Sequence, residues 1–308
     1  MNTIAAQHEQ LLVIDRRSRF ATISLGWRTH QTHAPALRQA IQTATEAVRR
    51  EQEPVLMEWT TSAGALCVTA MLPDTSAEAW AESAVHEADT IAKKVGGTSF
   101  AAVGTADTVS RLRRVLSESE GPPSAGSRPR ASSTLQRSTL PNHEQTLVIG
   151  RDPVVEAGAA ATFLAICLVA AGPGTIAHEA AQSTDRGSLI EVSRGLQNHS
   201  PTVTWRAIAP QHRSMAILES VLSAVSSYRA EKNPDALRRA REFAAANLSR
   251  PWRSPLELSR SLVQYEVMGW DGSLILNPDA ALAAVEASAI EDAARGLVKP
   301  IEEVLGRS

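Results

Sequence analysis

The chain has 308 residues, enough for one large domain or two of ordinary size, and 43% of them are hydrophobic, so sizeable cores can form. A formal net charge of -2 gives no basic footprint for nucleic acid and no polybasic patch for an anionic membrane. The two cysteines, Cys67 and Cys167, lie in apolar runs, which excludes a disulfide framework and predicts buried, reduced thiols.

MNTIAAQHEQ lacks the basic start and apolar core of a signal peptide, so a cytoplasmic location is expected. An apolar strand is predicted near 10–15, continuing as FATISLGW (20–27). A helix follows at 36–52, with Leu37, Ile41, Ala44 and Val48 on one face. Two strands, 55–61 and 65–72, flank a turn containing Gly64. The next helix, 76–95, has Asp74 and Ser76 as cap candidates and stops at Gly96-Gly97. The strand TSFAAVG and the helix DTVSRLRRVL complete this half.

Residues 119–142, SEGPPSAGSRPRASSTLQRSTLPN, are dense in Ser, Pro, Gly and Arg and read as a flexible linker between a front half, 1–118, and a back half, 143–308. In the back half, AGAAATFLAICLVAAG (157–172) is shorter than the roughly 20 residues a bilayer requires and reads as a buried core element. The predicted order there is helix (156–182), strand (188–193), strand (202–209) and helix (211–229). Purely helical stretches at 234–248, 254–270 and 278–298 follow.

The two halves share ordered matches. HEQLLVIDR (8–16) and HEQTLVIGR (143–151) agree in seven of nine positions. VLMEW (55–59) then meets SLIEV (188–192), CVTAMLP meets WRAIAP, and Glu82-Ser83 meets Glu219-Ser220. A tag used twice would not keep this order, so an internal duplication is expected. The fold class is then α+β: two duplicated sandwich halves, each an antiparallel sheet with helices on one face, the second with extra C-terminal helices.

The stretch 236–300 contains LSRSLVQYEVMG (258–269), then the helix ALAAVEASAIEDAARGLV and Pro300. It resembles the closing segment of the pitrilysin/insulinase-like metallopeptidases, the inverzincins, which are also built from two duplicated α+β halves. In active members the first helix of the front half carries His-x-x-Glu-His, whose histidines bind zinc while the Glu polarises water. The matching place here is RTHQTHAPALRQA (28–40), where His30 and His33 flank Gln31 and Thr32 without the Glu-His partner. His8-Glu9, His86-Glu87, His143-Glu144 and His178-Glu179 have the opposite order. The family's substrate-positioning Arg and Tyr fall on Ser183 and Ile190 in one alignment and on Glu191 and Asn198 in another. The resemblance therefore implies a non-catalytic subunit with no metal or cofactor site of its own. Such a subunit would pair with a zinc-containing homologue around a peptide substrate, removing leader peptides in natural-product maturation. A stand-alone peptide-binding or scaffold protein is the alternative.

One stretch points elsewhere. Gly172-Pro173-Gly174-Thr175-Ile176-Ala177 follows an apolar run and precedes Glu191, the outline of a nucleotide-binding turn with an acidic residue for the ribose. The surrounding sequence lacks the alternating strands and helices of that fold. No nucleophile elbow or cysteine cluster is present.

Overall fold

The computed structural model describes residues 10–15, 20–28, 33–49, 56–62, 65–93, 98–117, 133–197, 200–210, 213–270 and 272–306. The sequence-predicted turn at Gly64 and the helix stop at Gly96-Gly97 lie outside these residues.

In chain order, β1 (Gln10–Ile14) and β2 (Phe20–Arg28) precede α1 (Ala34–Arg49). Then come β3 (Leu56–Ser62), β4 (Ala65–Pro73), α2 (Asp74–Ala92), β5 (Ser99–Gly104) and α3 (Ala106–Ser117). The five strands form one sheet in the order β1-β5-β2-β4-β3. β1 is parallel to β5, whereas β2–β5, β2–β4 and β4–β3 are antiparallel. The strand expected to run on from 10–15 into 20–27 is thus two strands separated by β5.

The alternation in β2 sends Ala21, Ile23, Leu25 and Trp27 to a core shared with Leu37 and Ile41 of α1 and Trp80 of α2. Trp80 Nε1 donates to Thr45 Oγ1 of α1 at 3.1 Å, and Trp27 Nε1 donates to Thr98 Oγ1 at 2.7 Å, so neither indole is buried unpaired.

The chain continues with β6 (Thr134–Leu140), β7 (His143–Arg151), α4 (Val154–Ala157), α5 (Ala159–Ala170) and α6 (Ile176–Thr184). β8 (Leu189–Gln197), β9 (Ser200–Pro210), α7 (Ser214–Ser227) and α8 (Pro234–Ser249) follow. The last helices are α9 (Pro255–Val267), α10 (Ser273–Leu276), α11 (Pro278–Ala283) and α12 (Ala287–Leu305).

The chain divides into two units that interleave in sequence. The first takes 1–128, 196–199 and 249–276; the second takes 129–195, 200–248 and 277–308. Helix α9, expected with the second half, therefore packs in the first unit, on β2, β4 and β5. It covers the face opposite α1 and α2, so this sheet has helices on both faces. Gly26 makes the approach possible: a Cβ there would lie 2.3 Å from Val263 Cγ1 and 2.6 Å from Val267 Cγ2. Ser24 Oγ sits 2.8 Å from Thr69 Oγ1 and 2.6 Å from Ser259 Oγ, pairing the buried hydroxyls under the helix. Arg28 Nε donates to Val267 O at 2.7 Å, satisfying one of the last carbonyls of α9.

The second sheet has the order β6-β7-β9-β8. β6 and β7 form an antiparallel hairpin through Pro141-Asn142, with Asn142 at φ 62°, a conformation asparagine tolerates. Residues 134–140, expected within the linker, are thus a strand; 119–132 lie outside the described residues. The polar composition of TLQRSTL fits an edge strand exposed along its length. Val148 and Trp205 are paired across β7 and β9 and lie fully buried under α7 and α12. Trp205 Nε1 donates to Leu297 O at 2.7 Å.

The predicted helix 156–182 is three helices, because Gly158 (φ 80°), Gly172 (φ 125°) and Gly174 (φ 78°) adopt backbone that breaks the ladder. The predicted helix 278–298 is interrupted after α11, and α12 runs through Pro300. The Pro300 ring rests where a Cβ of Gly150 would be, at 2.4 Å. α5 has 12 residues, and no helix among the described residues is long and apolar enough to cross a membrane.

Both units share the strand order β2-β4-β3 and β7-β9-β8. The VLMEW/SLIEV and CVTAMLP/WRAIAP matches fall on corresponding strands, β3 with β8 and β4 with β9. The HEQ match does not: β7 is central like β2, whereas the described part of the front copy is the edge strand β1.

Candidate functional site

The sequence places His30 and His33 at the junction of β2 and α1. His30 lies outside the described residues. His33 sits at the turn into α1, its carbonyl accepting from Leu37 N at 3.1 Å. Pro35 in the first turn costs no hydrogen bond, since the N–H it lacks would have no helical partner. α1 then turns Leu37, Ile41 and Ala44 into the core and carries no histidine. Its outer face has Arg38, which donates to Thr61 Oγ1 at 2.8 Å and stacks over Trp59 at 5.8 Å. Among the described residues no three His, Cys, Asp or Glu side chains converge as a metal site. His86, His143 and His178 stand on α2, β7 and α6 respectively.

At the corresponding junction of the second unit, after β7, stands a buried ion pair. Asp152, 1% exposed, accepts from Val154 N at 2.9 Å through one oxygen and from Arg194 Nε of β8 through the other. Burial outweighs the Arg194 charge and these hydrogen bonds, holding the carboxyl above its ordinary 3.8. The pair ties β8 to the start of α4 and is structural in character. Sequence reading passed over it because neither residue belongs to a motif.

The Gly172–Ala177 stretch connects two helices, α5 and α6. A dinucleotide turn needs a strand running into its glycines so that the phosphate meets the following helix at a sheet edge. That context is absent here, and α5 occupies the place of the strand because its alanine-rich sequence favours helix. Thr175 Oγ1 donates to Gly172 O at 2.7 Å, closing the turn on itself. Glu191 is engaged elsewhere, with Arg206 Nη1 at 3.2 Å.

This turn nevertheless borders a groove of about 960 Å³ between α5, α6, α7 and α8. Leu168, Ala180, Ala224 and Ala240 line it, with Glu179, Arg239 and Phe243 also contributing. Tyr228 also lines it; its hydroxyl is buried with no hydrogen-bond partner among the described residues, and burial together with Glu291 raises its pKa. Cys167 is at the wall, its thiol pushed up to about 12 by burial, and Cys67 in the first unit behaves alike. The sequence signal missed was an alanine-rich α8 that carries one aromatic, Phe243, left 46% exposed.

The positions considered for a substrate-holding Arg and Tyr are dispersed. Ser183 ends in the groove, donating to Ala180 O at 2.8 Å, while Ile190 and Glu191 are on β8 and Asn198 lies outside the described residues. On the sheet face away from α7 and α12, Arg206 donates to Gln145 Oε1 at 3.0 Å and to Glu191.

The sequence matches no protein-family model and no curated protein. The fold, in contrast, is found in solved structures. A protease from Helicobacter pylori is similar with a TM-score of 0.60 at 10% identity, over 96% of each chain. A peptidase M16 inactive domain from Pseudomonas fluorescens gives 0.57 at 11% identity, over 96% of this chain and 94% of that one. A chain of the Inz-5-bound complex III2 from Candida albicans gives 0.55 at 9% identity, over 93% and 90%. The chain therefore has the two-sheet α/β fold of these proteins.

Proposed function

We propose that the chain is a catalytically inactive, inverzincin-like subunit that pairs with a zinc-bearing homologue to process peptides. The observation that carries this reading is the helix α1 itself: in a fold shared with a peptidase M16 inactive domain, the helix after β2 packs its apolar face correctly and carries no histidine. Zinc peptidase chemistry needs two neutral imidazoles one helical turn apart, with a carboxylate between them to activate water. Leu37, Arg38, Ala40 and Ile41 cannot supply these. The duplication inferred from sequence fits the shared strand order of the two sheets, and a scaffold of this kind can keep its walls after losing its ligands.

In the paired state the chain would contribute wall and partner specificity while the homologue holds the metal. Removal of leader peptides is the process we assign to the pair. The test is co-expression of the chain with a homologue carrying His-x-x-Glu-His, followed by size-exclusion chromatography and cleavage of a fluorogenic leader peptide. Co-elution, with cleavage that requires both chains and is lost on mutating the homologue's Glu, is expected. Cleavage by this chain alone, or stoichiometric zinc retained by it after dialysis, would overturn the proposal.

The stand-alone peptide-binding reading draws support from β6, whose exposed length offers backbone groups for strand addition. Peptide binding by the purified monomer at an affinity unchanged by the homologue would favour it.

A further inference from the structure

We infer that the groove between α5, α6, α7 and α8 is a docking site for a short peptide segment of another chain, one with an apolar anchor flanked by residues of both charge signs. At about 960 Å³ it is at the upper end of the range typical of ligand sites, roughly 300–1,000 Å³. Small side chains, Ala180, Ala224 and Ala240, keep its floor low, so a bulky residue can enter without displacing the helices.

The charges choose the occupant. Glu179 on α6 and Arg239 on α8 line the groove, and neither has an ion pair among the described residues, whereas Glu242 beside them is held by Arg238 at 2.8 Å. A simple anion would satisfy Arg239 but face Glu179, and a simple cation would face Arg239. A lipid chain would use neither charge. A peptide segment presenting a basic and an acidic side chain answers both, and its apolar anchor meets Leu168 and Phe243, an exposed aromatic of the kind enriched at interfaces. The site does not depend on the pairing proposed above.

The test uses the full chain alone and three fluorescein-labelled peptides of one length with a shared Leu-Phe centre, flanked by Lys and Glu, by Lys only, or by Glu only. Fluorescence anisotropy should show the mixed peptide binding about two- to fivefold tighter than the others, the worth of one exposed ion pair. Glu179→Lys should shift the preference to the Glu-only peptide and Arg239→Glu to the Lys-only peptide; both positions are exposed, so folding is not at issue. Ala224→Trp, which fills the floor, should weaken all three at least tenfold. If no peptide binds the unmodified chain, or the order of preference is the same in all proteins, the proposal fails. Because no homologue is present, that failure leaves the pairing result untouched.

Discussion

Replacing Gly26 with alanine tests the assignment of α9 to the first unit. The added methyl would come within 2.3 Å of Val263 Cγ1 and 2.6 Å of Val267 Cγ2, against an ordinary contact of 3.4 Å or more. Val263 and Val267 are one turn apart on α9 and are 0% and 1% exposed, so neither can swing into solvent. Relief requires the helix to lift by about 1 Å, which would stretch the 2.6 Å contact between Ser24 and Ser259 out of hydrogen-bond range. Overpacking of about 1–3 kcal/mol and one lost buried hydrogen bond of about 1 kcal/mol together give about 2–4 kcal/mol. Urea unfolding followed by circular dichroism reads this as a lower midpoint at unchanged slope. Gly104→Ala is the matched control: its Cβ would meet Thr108 Cγ2 at 3.5 Å, an ordinary contact, and should change stability by less than about 0.5 kcal/mol. Val263→Ala combined with Gly26→Ala should cost less than the sum of the single changes. If Gly26→Ala is as stable as Gly104→Ala, α9 does not lie on this sheet and the reasoning is wrong.

Four further outcomes are expected. Arg194→Met leaves the Asp152 carboxylate buried without its cation and should destabilise by about 3 kcal/mol in thermal unfolding at neutral pH. Because the folded carboxyl of Asp152 holds its proton more tightly than its ordinary 3.8, the folded state binds the extra proton and stability falls as pH rises from that value through the raised one; Asp152→Asn should flatten this part of the pH–stability curve, and an unchanged curve would refute the burial argument. Cys67 and Cys167 should both fail to react with Ellman's reagent in the native protein and both react in urea, since burial lifts their thiols to about 12. Trp205→Phe should lower the thermal midpoint by a few degrees by removing the indole hydrogen bond to the Leu297 carbonyl of α12, with the cost confined to the second unit in hydrogen exchange.

Local pattern foretold the local elements. The alternation of Ala21, Ile23, Leu25 and Trp27 and the 3.6-residue spacing of Leu37, Ile41 and Ala44 are signals a single segment carries alone, and both segments form as expected. Partnership between distant segments leaves no such trace. That Val263 seats against Gly26 depends on two residues more than two hundred positions apart, each ordinary in its own context. The strand Thr134–Leu140 was hidden by its own exposure, since an edge strand facing water needs no apolar alternation and composition alone makes it look like linker. The breaks around Gly158 and Gly172 were masked by continuous apolarity on either side. The candidate groove was hardest to foresee: it is made of what alanines leave empty, and an absence of side-chain volume has no motif. The histidines near 30–33 were legible as a departure from a pattern, and α1 shows why the helix does not need them for its packing.

The crossing of residues 249–276 to the first unit sets an order on biogenesis. A ribosome releases the whole five-stranded sheet by Gly104, yet the helix that roofs Ser24, Gly26 and Thr69 emerges only after Val267. At about 5–20 residues per second that is a wait on the order of ten to thirty seconds, during which one flank of a nearly finished sheet stands open to other nascent chains. A chain truncated anywhere before α9 would stay in that unroofed condition permanently, so the integrity of the five-stranded sheet is decided by a segment made only after the second sheet.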